Sequence, residues 1–236
     1  MVKNSMPRSA RLVSERVVID IETVGRDFNS FDEISKEYLL KFAETEEEIE
    51  EAKDRLSFSP LTGEIVAIGM LNPDTDEGVV YFQALKSPAL PFKENTIQFI
   101  PDTEAGILKR FWEAIKNYDQ IITFNGRSFD APFIILRSAM LKIKPTKDLM
   151  PSRYTGTSHI DLLDQLTFFG AVRRRFNLHM WCEAFGIPSP KVEGVTGHDI
   201  KELFREDKYI EIAKYCLRDL YATKNLFEYW DKFVRL

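Results

Sequence analysis

Val17-Val18-Ile19-Asp20-Ile21-Glu22-Thr23 sets two carboxylates inside a run of β-branched, strand-forming residues. Side chains alternate across a strand, so Asp20 and Glu22 project from the same face, two residues apart. Like charges that close repel unless a cation lies between them, and an unpaired buried charge is costly. A strand that simply turns polar at its end, with Glu22 already in a loop, would be written the same way. The choice depends on whether other carboxylates occur where apolar neighbours predict a core.

Two further stretches do this. From Tyr209 to Trp230 the apolar residues follow a helical rhythm, and Ile212, Tyr215, Cys216, Asp219, Ala222 and Leu226 fall on or beside one face. Tyr215 and Asp219 are an i, i+4 pair, hence neighbours on the helix surface. Asp219 shares its stripe with small and apolar residues and is expected to face inward. In Phe124-Asn125-Gly126-Arg127-Ser128-Phe129-Asp130 a short strand, 120–124, meets an Asn-Gly turn signal. A helix then opens at Ser128 or Asp130, with Pro132 in its first turn, where a missing N–H does no harm. By itself, Asp130 at that position reads as a helix N-cap. Three such carboxylate sites in one chain point instead to a positive centre, of which a divalent metal is the obvious kind.

Asp20-x-Glu22, Asn125-x-x-x-Phe129-Asp130 and Tyr215-x-x-x-Asp219, in this order, resemble the three exonuclease motifs of the DnaQ-like (DEDD) 3′→5′ exonucleases. A histidine subclass would carry His at position 214, five residues before Asp219, where this chain has Lys214; Tyr215 stands where the tyrosine subclass has its tyrosine. Within that subclass the chain is similar to stand-alone exonucleases akin to the proofreading domain of family B DNA polymerases. Supporting stretches are 59–69, 159–164, 185–191 and 212–216, and the resemblance covers roughly residues 16–230. Three motifs in the correct order make it specific, which none would be alone.

The resemblance implies a ribonuclease H-like α/β fold and hydrolysis of phosphodiester bonds from a 3′ end. It implies Asp20, Glu22, Asp130 and Asp219 as ligands of two divalent cations, with Asp20 bridging both. Carboxylate oxygens suit Mg²⁺ or Mn²⁺, and a pair of such ions generates a nucleophile at neutral pH while stabilising the attacking and leaving oxygens. Tyr215, whose ordinary pKa is about 10, stays neutral and orients the attacking water. Thr23 is placed to meet the terminal 3′-hydroxyl, and Asn125 and Phe129 to flank the last nucleotides. Much of the superfamily carries a bulky leucine after the first motif; here Thr23-Val24-Gly25 runs into a polar stretch and an insertion. The expected substrate is single-stranded DNA. RNA trimming is the alternative, because the metal site touches phosphate rather than the 2′ position. A catalytically silent nuclease fold serving as an interaction subunit would be marked by a lost ligand, and all four carboxylates and Tyr215 are present. Polymerase or repair partners are left open.

Bulk properties fit one exonuclease domain over 16–236, preceded by a polar, basic tail over 1–15 that is expected to fray and is neither signal peptide nor membrane span. Cys182 and Cys216 lie in apolar helical patterns, which fits reduced core thiols in a cytoplasmic protein. The three histidines, His159, His179 and His198, are too scattered for a zinc site. The net charge is −5, although nucleic-acid binders are often basic. Much of the acid is local, in a Glu-rich run over 44–54 on an amphipathic helix expected over 31–56, part of a helical insertion at about 27–57. Arg127, Arg137, Arg173, Arg174, Arg175, Lys142 and Lys144 remain either for a phosphate path or, for the arginine run, as a solvated loop.

The expected order is a first strand ending at Glu22, the insertion, and an antiparallel hairpin over 65–71 and 79–84 across a polar turn. A helix over 104–118, the strand over 120–124 and a helix over 130–141 follow. Ile160 then lies in a short strand, Asp161 caps the next helix, and the remainder is helical. This is a mixed sheet, three antiparallel strands followed by parallel ones, flanked by helices.

Overall fold

β1, Arg16–Gly25, is the centre of the molecule, and its β-branched residues are nearly all buried. The structure is a computed structural model and describes residues 15–84, 90–154, 157–189 and 199–235. Residues 1–14 of the tail expected over 1–15, His198 and the end of the 185–191 stretch lie outside them, whereas Glu15 is described and its carbonyl accepts from Asp119 and Gln120 N–H. β2, Gly63–Leu71, runs antiparallel to β1, with Asp20 opposite Gly69 and Glu22 opposite Ala67. The register slips by one residue between Glu22 and Thr23, an irregularity of the kind that re-aims side chains beside functional sites. β3, Gly78–Gln83, completes the expected hairpin, its turn held by Asn72 Oδ1 accepting from the N–H groups of Asp74 and Thr75. On the other side of β1, β6, Gln120–Thr123, pairs in parallel over Arg16–Val18 only, and β7, His159–Asp161, extends the sheet in parallel.

Two strands were not expected. β5, Ile97–Asp102, runs parallel to β3, and β4, Phe92–Glu94, pairs antiparallel with β5 at the sheet edge. Pro101 argues against a strand in the sequence, since proline cannot donate to a ladder. Here it lies opposite Phe82 on β3, while the β4 pairing has already ended at Phe92 opposite Phe99, so its second side needs no donor. The seven strands lie in the order β4-β5-β3-β2-β1-β6-β7.

The alternation of β1 divides the core. Val17, Ile19 and Ile21 pack with α3, Glu104–Ala114, and α4, Asp130–Met140, through Ile107, Phe111, Trp112 and Phe133. Val18 and Val24, on the face that also carries Asp20 and Glu22, join the core built with α8, Tyr209–Phe233, through Ile212, Cys216, Leu220 and Phe227. Both cysteines are free and buried. Among the described residues no helix is long and apolar enough to cross a membrane.

The insertion departs from the single helix expected over 31–56. It is two helices, α1, Glu33–Leu39, and α2, Glu46–Asp54. Thr45 and Glu48 form a complete capping box at the start of α2, and such a box begins a new helix rather than continuing an old one. The C-terminal part is also less helical than expected. α5, Leu162–Leu166, ends before Phe168, Phe169 and Gly170, all at positive φ, and α6, Leu178–Phe185, and α7, Ile200–Arg205, precede α8.

Candidate active site

Asp20 and Glu22 face α8 from β1, and a glycine sets how closely that helix approaches. A Cβ on Gly69, directly across from Asp20, would lie 2.5 Å from Leu220 Cδ1 and 2.8 Å from Cys216 Sγ. With none there, Cys216 tucks against β1 and its thiol donates to the Asp20 carbonyl at 3.7 Å. Ligand atoms of Asp20, Glu22 and Cys216 lie within 4.8 Å of one another. One helical turn along, α8 presents Asp219 beside Tyr215, whose hydroxyl hydrogen-bonds the Asp219 carboxylate.

Asp130 arrives from the opposite side, and not as the N-cap read from sequence. It is the first helical residue of α4, and the cap position falls to Phe129, which makes no side-chain cap bond. The Asp130 carboxylate reaches across to β1, where Oδ1 accepts the Ile21 N–H at 3.1 Å. Because β6 pairs β1 only as far as Val18, that amide has no strand partner, and a buried amide left unpaired is costly. One bond thus satisfies the strand and aims the carboxylate.

Another carboxylate, Asp161, which is buried, holds the loop between β6 and α4. It caps α5, as expected, by accepting from the N–H groups of Leu163 and Asp164. It also accepts from Asn125 N–H and Arg127 N–H, each at 2.9 Å. This keeps Asn125 at φ +62°, a left-handed conformation that asparagine tolerates better than most residues.

The electrostatics of the cluster are unfavourable as it stands. Burial, then the charges of Asp219, Glu22 and Asp130, push the Asp20 carboxyl well above the ordinary carboxylate range. Glu22 is raised likewise by burial and by Asp219 and Asp130, against the opposing Arg218 guanidinium. Asp130 is pushed up to about 7, chiefly by burial, with Asp161 and Asp219 adding to it and backbone N–H groups resisting. The Tyr215 phenol is also raised, by burial first and the three neighbouring carboxylates second, so it is neutral at physiological pH. Asp20 Oδ2 is buried without a hydrogen-bond partner among the described residues. A set of crowded carboxylate oxygens, one of them orphaned, fits hard divalent cations.

A cleft of about 610 Å³ opens above the cluster. Of the residues singled out from sequence, Glu22, Thr23, Asn125, Phe129, Tyr215 and Asp219 line it; Asp20 and Asp130 do not. The Thr23 hydroxyl donates to Ser57 O at 2.8 Å, and Phe129 packs on Phe133 with ring centroids 5.4 Å apart. Sequence reasoning missed Ser57, Phe58, Phe124, Phe176 and His179, which also line the cleft, and Phe58 is 61% exposed there. The signal available was an aromatic residue just after the insertion and another just after the arginine run.

The basic residues separate. Arg175 lines the cleft and donates to Asn125 Oδ1 at 3.3 Å, whereas Arg174 lies over the Phe176 ring. Arg137 is buried in an ion pair with Glu104 at 2.6 Å, and Arg127 is buried and donates to Pro151 O. Those two are structural and leave the candidate phosphate path. Lys142 and Lys144 are exposed beyond the end of α4 and do not line the cleft.

Residues 64–232 match the family described as "Predicted 3′-5′ exonuclease related to the exonuclease domain of PolB", and the chain belongs to that family. The chain is 31% identical over 163 residues to a DNA polymerase of Pyrococcus glycovorans, covering 60% of this chain and 19% of the polymerase. It is also 31% identical over 160 residues to DNA polymerase 1 of Pyrococcus abyssi, with the same coverage. It therefore spans about a fifth of the length of the curated relatives it matches. The structure of the family B DNA polymerase from the archaeon Pyrobaculum calidifontis superposes with a TM-score of 0.58 at 18% identity, over 92% of this chain and 24% of that one. The mixed sheet flanked by helices is thus the expected ribonuclease H-like α/β class.

Proposed function

We propose that this chain is a divalent-metal-dependent 3′-5′ exonuclease of the tyrosine subclass, acting on the 3′ end of single-stranded DNA, with residues 16–236 forming one exonuclease domain. The observation that carries the reading is the convergence of Asp20, Glu22, Asp130 and Asp219 from β1, α4 and α8 on one site, where burial and mutual repulsion raise the pKa values of Asp20, Glu22 and Asp130 despite the opposing Arg218 guanidinium. Those four residues would hold two Mg²⁺ or Mn²⁺ ions, which supply a nucleophile at neutral pH and neutralise charge on the attacking and leaving oxygens. Tyr215, kept neutral by burial and its anionic neighbours, has its hydroxyl on the Asp219 carboxylate, where its oxygen can accept from the attacking water and hold it in line. Thr23, Asn125 and Arg175 line the cleft, where Thr23 would meet the terminal 3′-hydroxyl, Asn125 the final nucleotides and Arg175 the next phosphate. Phe58, Phe124 and Phe129 offer apolar surface on which bases stack without sequence preference. The family relationship to the PolB exonuclease domain and the similarity to DNA polymerases favour DNA over RNA.

Digestion of 5′-labelled DNA and RNA oligonucleotides, with free or blocked 3′ ends, tests the reading. Stepwise shortening of unblocked DNA with Mg²⁺ or Mn²⁺, and none with chelator, is expected. Equal cleavage of blocked ends, or cleavage in chelator, would overturn the mechanism, and faster removal of ribonucleotides would move the substrate to RNA.

A further inference from the structure

The insertion inverts the usual arrangement of a helix pair. Neither α1 nor α2 buries a single residue. Ile34, Tyr38 and Phe42, spaced four apart along α1 and its extension, are 82%, 76% and 85% exposed, and Leu61 nearby is 64% exposed. Together with α2 they line a groove of about 820 Å³. Contiguous apolar surface of this kind, bounded by polar residues, marks interaction sites.

The charge around the groove selects the occupant. Residues 27–57 hold eleven acidic and four basic side chains, a net charge of −7 against −5 for the whole chain, so everything outside the insertion is net +2. Glu48 and Glu51 are on the groove wall itself, facing a single lining guanidinium, Arg55, which pairs with Glu51 at 3.1 Å and leaves the wall net acidic. A surface this acidic repels nucleic acid and favours a basic, apolar partner. The insertion is also attached where it can influence the cleft. Ser57, its last residue, and Phe58, just after it, line the cleft, and Lys201 of α7 pairs with Asp54 at the end of α2.

We propose that the groove between α1 and α2 is a docking site for a partner protein that presents an amphipathic helix, apolar on one face and flanked by Lys or Arg. The apolar face lies along Ile34, Tyr38 and Phe42 in the helix-in-groove mode, while the basic flanks meet the glutamates of α2. A helix seated there lies next to the nuclease cleft, which would bring exonuclease activity to a partner's site of action.

The test is selection from a random displayed peptide library on the intact protein, with counter-selection on Tyr38→Ser/Phe42→Ser. The expected winners carry apolar residues at helical spacing flanked by Lys or Arg. A synthetic winner should bind in fluorescence anisotropy, and lose about tenfold or more in affinity on the double variant, on Glu51→Lys, and in high salt. The altered side chains are exposed, so circular dichroism and oligonucleotide digestion should stay at wild-type levels. Groove-independent or acidic winners would overturn the proposal. So would a wild-type dimer in light scattering that the double variant loses, which would assign the groove to a second copy. Loss of single-stranded DNA binding in the double variant would assign it to nucleic acid and overturn it equally.

Discussion

At the cleft, carboxylates sit where a core is expected: Glu22 and Asp130 are buried, and Asp20 has an orphaned oxygen. In the insertion, Ile34, Tyr38 and Phe42 are open to solvent where polar side chains are expected. Both regions break the rule that polar groups face water and apolar groups do not, in opposite directions. Each is costly alone, and each would be relieved by a different kind of ligand, cations in one case and an apolar surface in the other. Their structural support differs as well. The cleft is held by bonds and packing from β1, β2, α4, α5 and α8, whereas α1 and α2 contribute no buried residue to the core.

The comparison breaks most sharply at the carboxylates. Asp20→Ala and Asp219→Asn should abolish nuclease activity, a larger loss than the about 10²–10⁴-fold typical of a proton-handling group. Neither should lower the thermal stability of the metal-free protein, because each removes one charge from a crowded set of like charges. Near wild-type digestion by either variant would remove the site assignment.

Next comes Tyr215→Phe, which keeps the ring in the α8 core but loses the hydroxyl. Turnover should fall by about 10²–10⁴-fold with substrate binding and metal-induced stabilisation nearly unchanged. Single-turnover digestion measures it, and full activity would make Tyr215 a packing residue.

A third effect is on stability and pH. Asp20, Glu22 and Asp130 have folded-state pKa values raised above the unfolded range of about 4. Their contribution is therefore fully present below that range and is lost as pH rises through the folded values, about 7 for Asp130. In chelator, the melting temperature of the wild type relative to Asp20→Asn should fall between acidic and neutral pH. Saturating Mn²⁺ should restore it at neutral pH, since ions bind the folded site and not the unfolded chain. An identical pH trend in both proteins would mean that the cluster is not strained.

The smallest effects contrast packing in the two regions. Gly69→Ala, which drives a methyl into Leu220 and Cys216, should cost about 1–3 kcal/mol in chemical denaturation. Phe42→Ser in the insertion should stay within about 0.5 kcal/mol. A large loss in Phe42→Ser would show that the insertion supports the fold.

The three motifs were legible because their chemistry is local: two carboxylates on one strand face, a turn before a helix, and an i, i+4 pair. Residue type and spacing carry that information unaided. The hairpin, the parallel strand after α3 and the long final helix were legible for the same reason, through period two and period 3.6. The break between α1 and α2 was written in Thr45 and Glu48 but is masked by apolar residues that keep a helical rhythm across it. β4 and β5 were hidden by Pro101, whose acceptability depends on which neighbour is absent.

Tertiary structure alone decided how the site is held. Asp130 answers an amide 109 residues away, and Asp161 holds amides 34 and 36 residues before it. Gly69 matters only because Leu220 and Cys216 come to rest on it. By itself the sequence determined which carboxylates exist and which way each strand or helix turns them. Folding decided that they meet, because repulsion among charges and the pairing of a lone amide depend on distances that close only when β1, α4 and α8 pack together.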